Sequence, residues 1–424
     1  MGVIGDRSEA GEASAQYFDS DVAWGGTMND TRRILINAVM PCVLLMAMSS
    51  CAGGLKYPQG PMQCARPDEH KRVEKLVVGE FSPSPGGRHI AVATSRGLAL
   101  YRASTLALEW FAPTWHGVDD IAWSPDEATI ATSDASGCVF LWDAATGDNV
   151  QQLCAHSHDE VNVDWSARPD RLASGAGSHD SRYGEVLFWD TKSKKPIHVL
   201  RGVFSSQNDV EWSPEGSMLA TWSIHDDEIA LRDAETFETV RKLQMPENVM
   251  NVYWSPDGAM LAVPAPFYND ELIIWDTKKG DKVIVLPCDA SFLGDEGVAW
   301  SSDSETIAAV TFIETRNDFE EDKTVMLWHV RTGEKLREVA GHAFCFSPDD
   351  GAVVVAVSDE TLIVWDIRSG DRLRRLTGLP KRAESIAWSR EGVVIVAGGG
   401  GWITAWNAET GERIRSIDGG EIEE

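Results

Sequence analysis

His156, His158 and Asp159, followed by His179 and Asp180, are the residue types that could bind zinc and activate a water, provided that a fold brought them to bonding distance. Two carboxylates set across a cleft could hydrolyse a glycosidic bond, but the chain holds 66 Asp and Glu, so such pairs arise freely. No Gly-x-Ser-x-Gly elbow, phosphate-cradling glycine loop or His-Glu-x-x-His pair stands out. The run Gly398–Gly401 sits where a strand turn belongs, and no helix pattern follows it to hold a phosphate. The plainer reading is therefore taken: polar loop residues, no catalytic group, no metal and no cofactor. A formal charge of −28 and a pI near 4.7 repel phosphate backbones, which excludes nucleic acid and favours neutral or cationic partners.

The elements that must position these residues form a repeat. An aromatic residue followed by a turn recurs as Phe81-Ser-Pro, Trp123-Ser-Pro-Asp, Trp165-Ser, Trp212-Ser-Pro-Glu-Gly, Trp254-Ser-Pro-Asp-Gly, Trp300-Ser-Ser-Asp, Phe346-Ser-Pro-Asp and Trp388-Ser-Arg-Glu-Gly. The spacings are 42, 42, 47, 42, 46, 46 and 42 residues, giving eight units. Within a unit an Ala-centred apolar strand comes next, then a strand ending in an aromatic-acid pair such as Leu141-Trp-Asp143 or Ile274-Trp-Asp276. A Thr-Gly or Ser-Gly turn and a fourth strand complete it. Four short strands in just over 40 residues make a propeller blade.

The chain thus resembles the WD-repeat β-propellers over roughly residues 74–418. Copies drift, with Leu231-Arg-Asp233, Leu327-Trp-His329 and Ala405-Trp-Asn407 in place of the Trp-Asp pair, and Gly341-His342 is displaced from the usual Gly-His position. The expected fold is all-β, an eight-bladed propeller of four-stranded antiparallel blades, with seven blades as the alternative. Twelve of the 17 tryptophans occupy two repeat positions and are expected to pack blade against blade. The resemblance implies a hydrogen-bonded set in the third repeat, made by His156, Ser174, Asp180 and Trp189. No leftover strand is evident to close the ring by completing the other terminus's blade, so either packing closes it or residues 54–73 reinforce it. If Trp142 faces Val150 in repeat 2, then Cys138 faces Cys154 and the two can form a disulfide. Cys64, Cys288 and Cys345 have no evident mate.

In the WD-repeat arrangement the turn between second and third strands shares a face with the link to the next blade. Repeats 1, 2, 7 and 8 have short turns there, whereas repeats 3 to 6 have long ones over 174–185, 223–228, 264–271 and 312–323. These raise a wall on one side of one face. Its candidate partner-binding residues are His179, Asp180, Arg182 and Tyr183; His225, Asp226 and Asp227; Phe267, Tyr268 and Asp270; and Arg316, Asp318 and Phe319. Aromatic and Arg anchors amid carboxylates suit a protein or peptide, cationic by preference. Trp115, His116, Phe204 and Phe292 on links between blades add to that face.

Upstream, TRRILINAVMPCVLLMAMSSC (31–51) has two arginines and an apolar run broken by Asn37 and Pro41, too short to span a bilayer comfortably. It matches the plan of a secretory signal, and Met48-Ser49-Ser50-Cys51 resembles a bacterial lipobox whose cysteine is lipidated. The acidic stretch 1–27 does not suit a signal peptide, so Met28 is the expected start. The organisation expected is a signal at 28–50, lipidated Cys51 and tether at 51–73, propeller at 74–420 and acidic tail at 421–424. Ala52 weakly favours the outer membrane. A looser resemblance, to the eight-bladed lipoprotein of the outer-membrane barrel-assembly machinery, rests on the Asp/Asn-x-x-Thr-Gly turns. Together these imply a non-catalytic scaffold tethered to the bacterial envelope. An envelope hydrolase or lyase with a carboxylate or metal site on the rim, and a cytosolic WD-repeat scaffold, are the alternatives.

Overall fold

The computed structural model describes residues 78–418, apart from 157–159, 178–183, 194, 202–207, 224–226, 246–248, 250, 266–270, 289–296, 314–321 and 400. The expected leader, Cys51 and tether lie outside the described residues. The described residues all belong to one compact unit.

Thirty-two strands among the described residues pair four at a time, in sequence order, into eight antiparallel sheets. The first sheet is β1 (Val78–Pro83), β2 (His89–Thr94), β3 (Gly97–Arg102) and β4 (Ala107–Pro113). The last is β29 (Ser385–Trp388), β30 (Val394–Gly399), β31 (Trp402–Asn407) and β32 (Arg413–Asp418). Each sheet is a blade, so the propeller is eight-bladed and the seven-bladed alternative falls.

The Ser-Pro-Asp-Gly motif makes the hairpin between first and second strands. Ser255 Oγ accepts the Met260 N–H at 2.9 Å and donates to Asp257 at 2.6 Å, while Gly258 takes the left-handed conformation, φ 66°. Ser124, Ser301 and Ser347 do the same with Asp126, Asp303 and Asp349. The acid of the Trp-Asp pair folds the next turn. Asp276 Oδ1 accepts the Lys278 and Lys279 N–H groups at 3.0 and 2.7 Å, and the Lys279 bond leads the causes that hold its carboxyl below the usual range.

The first-strand tryptophans lash neighbouring blades together. Trp123, Trp165, Trp254 and Trp300 donate their indole N–H to Ser82, Ala122, Glu211 and Tyr253 carbonyls in the preceding blade, at 3.0 to 3.4 Å. Of the third-strand tryptophans, Trp142 and Trp189 bond within the blade, to Thr132 and Ser174, whereas Trp406 donates to the Thr377 carbonyl of the preceding blade at 3.1 Å. Arg232 takes over that role in the fourth blade, its Nε donating to Thr221 at 3.1 Å. That blade also puts Phe237 where five others have turn glycine, at φ 60°, with its ring 4.4 Å from Phe188 and 4.5 Å from His198.

One register differs from expectation. Trp142 pairs with Asn149 rather than Val150, because the ladder shifts at Trp142 and Val150 becomes an extra, outward residue. Cys138 still faces Cys154, and the two are disulfide-bonded with 4.4 Å between α-carbons. The same shift occurs between third and fourth strands of every blade. It turns Val150, Ile197, Val240, Val283, Leu373 and Ile414 out around the rim, where all are exposed.

Among the described residues no strand is exchanged at the seam, where the first and eighth blades meet through side-chain packing; residues 54–73 lie outside the described residues. Phe81, Ile90, Val92 and Tyr101 share a core with Val394, Val396, Ile403 and Ile417. Gly398 makes room for this: a β-carbon there would meet the Phe81 ring at 3.0 Å. The Arg415 guanidinium reaches the Leu106 carbonyl at 3.3 Å, and Arg390 reaches that of Pro85 at 3.3 Å.

Candidate functional site

The turns between second and third strands share one face with the links between blades, because backbone hydrogen bonds join them. Val118 N–H donates to Thr94, Met245 to Asp227, Gly341 to Lys323 and Glu384 to Gly398, at 2.7 to 3.2 Å. Of the residues expected to form the wall, only Asp227 is described. It is exposed beside the turn of the fourth blade. His179, Asp180, Arg182, Tyr183, His225, Asp226, Phe267, Tyr268, Asp270, Arg316, Asp318 and Phe319 all lie outside the described residues. So do Phe204 and Phe292, whereas Trp115 is 56% exposed on this face.

His156 has a structural job. Its Nε2 lies 2.6 Å from Ser174 Oγ, which also accepts the Trp189 indole N–H at 2.8 Å, so three of the four members of the set implied by the WD-repeat resemblance are joined. Asp180, the fourth, is outside the described residues. His156 Nδ1 also sits 3.4 Å from Glu185, whose other oxygen pairs with Arg201 at 2.9 Å. Among the described residues no three His, Cys, Asp or Glu side chains group as a metal site; His158, Asp159 and His179 are outside that set. Gly398 and Gly399 end a tight hairpin, with Gly399 facing Trp402, as the absence of a following helix pattern implied. Cys288 is buried with its Sγ 3.5 Å from the Leu286 carbonyl, and burial pushes the Cys345 thiol up to about 11.

A feature that the repeat reading missed lies in the middle of the ring. The first strand of each blade is innermost, and residues one and three before its aromatic face the axis, since side chains alternate along a strand. A cavity of about 690 Å³ runs there, lined from six blades, with Asp119, Asp120, Asp164, Glu211 and Glu384 among its walls and no Lys or Arg among the described lining residues. Asp119 and Glu384 are exposed on the links, so the cavity opens on the face that carries the long turns.

The deeper carboxylates follow a series. Asp120 Oδ2 accepts the Val163 N–H of the next blade at 2.7 Å, and Asp164 Oδ2 accepts the Trp212 N–H of the blade after at 2.6 Å. Glu211 is the next step, yet its Oε2 is shut off from solvent and accepts no hydrogen bond. Burial pushes Asp164 up to about 7 despite the Trp212 bond, and Asp120 adds to the rise. Glu211 is raised well above the usual range by burial and then by the charge of Asp164. Asp119, at the mouth, is raised by burial and by Asp134 and Asp120. Such a lining holds protons when empty and attracts positive charge. The signal in the sequence was the acid immediately before the first-strand aromatic in Asp164-Trp165 and Glu211-Trp212.

Residues 112–143 match the family WD domain, G-beta repeat, a stretch running from the outer strand of the first blade to the Trp-Asp pair of the second. The chain is 30% identical over 154 residues to a Denticleless protein homolog of Xenopus tropicalis, covering 33% of this chain and 21% of that protein. It is 28% identical over 245 residues to WD repeat-containing protein 1 of Mus musculus, covering 55% and 39%. To the WD repeat-containing protein 26 homolog of Arabidopsis thaliana it is 24% identical over 248 residues, covering 56% and 39%. The chain thus spans between a fifth and two-fifths of the length of these relatives. The chain is thus an eight-bladed β-propeller, and its recurring Trp-Ser and Trp-Asp turns together with these partial matches make it similar to the WD-repeat proteins.

Proposed function

We propose that the protein is a non-catalytic scaffold that binds a protein or peptide on the face carrying the long turns, and that lipidated Cys51 tethers it to the bacterial envelope. The observation that carries the binding reading is the acidic cavity opening on that face beside exposed Trp115 and Asp227. A recess of negative charge next to an aromatic anchor favours a partner segment with basic residues. The relatives, named for their WD repeats, point the same way. The tether is supported by the basic flank, apolar run and Cys51, and the Cys138–Cys154 bond fits an oxidising compartment. The hydrolase or lyase reading depends on His158, His179 and Asp180, outside the described residues. The cytosolic reading depends on translation from Met1.

Two measurements test this. The mature N-terminus and mass, taken from a bacterial host, should show lipid on Cys51 that Cys51→Ala abolishes; an intact chain from Met1 would refute the tether. A photo-crosslinking residue at position 227 should join the protein to a partner in the envelope, whereas one at Thr146, on a turn at the opposite end of a blade, should not. Equal crosslinking from both positions would refute the binding face.

A further inference from the structure

We propose that the centre of the ring is a socket for one basic side chain, Lys or Arg, of the partner segment, with Glu211 as its counter-ion. This rests on the protein-binding reading above and adds to it the chemistry that the partner must present.

Three features converge. The cavity is large enough, about 690 Å³, to admit a long side chain from the open face. Asp120 and Asp164 each accept a backbone N–H from the next blade, so their bonds are used in holding the ring. Glu211, the third in that series, has a buried oxygen with no donor, and a buried acceptor left empty is costly unless something fills it. An ammonium or guanidinium brings both the missing donor and the opposite charge.

The groups facing Glu211 make the site sensitive to pH. Asp164 stands on the inner strand of the preceding blade, with Asp120 beyond it. Tyr253, Asn251 and Trp222 line the same cavity, and Asp119 and Glu384 stand nearer its mouth. The side chains of Glu80 and Asp209, on inner strands as well, are outside the described residues. No cation stands among the described lining residues. The empty socket therefore holds a proton in the range where free carboxyls have lost theirs. A basic side chain entering it displaces that proton to solvent, so affinity rises with pH, by up to about tenfold per pH unit below the group's pKa.

The probe is a fluorescent peptide of alternating glycine and arginine, compared with the same peptide carrying citrulline, which keeps the shape and loses the charge. Anisotropy titration of the full chain should show the arginine peptide binding about tenfold more tightly at pH 8 than at pH 6, and the citrulline peptide not at all. Glu211→Gln should lose about tenfold or more in affinity at pH 8 and flatten the pH dependence. It removes one charge from a net of −28, so a diffuse attraction to the acidic surface would pass through unchanged. Unaltered affinity in Glu211→Gln, or pH-independent binding by the wild type, overturns the proposal. Asp164→Asn keeps an acceptor for Trp212 and serves as the second variant; it should weaken the pH dependence, and a full dependence there also overturns it. Crosslinking from position 227 that survives Glu211→Gln, together with an unaltered peptide affinity, would remove the socket and leave the binding face standing. Peptide binding with no envelope crosslink would remove the binding face instead.

Discussion

Replacing Asp164 with asparagine should stabilise the fold at pH 8 and matter much less at pH 5. In the folded protein burial keeps the Asp164 carboxyl protonated up to about 7, whereas its ordinary value is 3.8. A raised folded value means that the native state binds the proton more tightly than the unfolded chain. Stability is therefore greatest below about pH 4 and falls as pH rises toward 7, then levels off. At about 1.4 kcal/mol per pH unit, the whole fall has a ceiling of roughly 4 kcal/mol. Water entering the cavity and local relaxation reduce this, so about 1–3 kcal/mol is expected between pH 5 and pH 8. Asparagine cannot ionise, and its Oδ1 can still accept the Trp212 N–H that Asp164 holds at 2.6 Å. Urea denaturation of wild type and variant at pH 5, 6, 7 and 8 isolates the effect, because other titrating groups cancel in the difference. The variant's advantage should grow with pH. A constant difference, or a variant that loses most at pH 8, would refute the argument that Asp164 is held protonated by burial.

Gly398→Val should open the seam between the first and eighth blades, since a β-carbon there already meets the Phe81 ring at 3.0 Å. Overpacking of this kind costs about 1–3 kcal/mol, read as a lower denaturation midpoint with faster proteolysis near Phe81. Cys154→Ser should cost about 2–3 kcal/mol under oxidising conditions, the loop-closure effect expected for a bond joining residues 16 apart, and nothing once the wild type is fully reduced. Ser255→Ala removes the acceptor of the Met260 N–H at 2.9 Å and should cost about 1 kcal/mol by thermal denaturation, with the far-ultraviolet spectrum unchanged. Phe237→Gly relieves the left-handed backbone but strips a ring from Phe188 and His198. Packing is the larger of the two terms, so a net loss of about 2 kcal/mol is expected.

Most of the fold was legible because a propeller repeats local chemistry. Ser255 with Asp257, and Asp276 with its turn, bond to residues only a few positions away, so eight copies of the pattern display the blade in one dimension. The Cys138–Cys154 pairing was legible for the same reason, although Val150 was misplaced. A strand ladder reads as strict alternation until a shift inserts an extra residue, and the two-residue spacing alone does not show where that happens.

By itself the sequence displayed eight repeats, the turns, the facing of Cys138 and Cys154 and the tryptophan positions, all of which follow from local bonding and regular spacing. Only the tertiary structure decided how the ring closes and what lies at its centre. Gly398 and Phe81 are separated by nearly the whole propeller in sequence yet touch, because a closed ring brings its ends together. Asp120, Asp164 and Glu211 each look like an ordinary strand acid among 66 Asp and Glu. Their shared cavity, and the buried Glu211 oxygen without a donor, exist only once blades from different parts of the chain converge on one axis and exclude water between them.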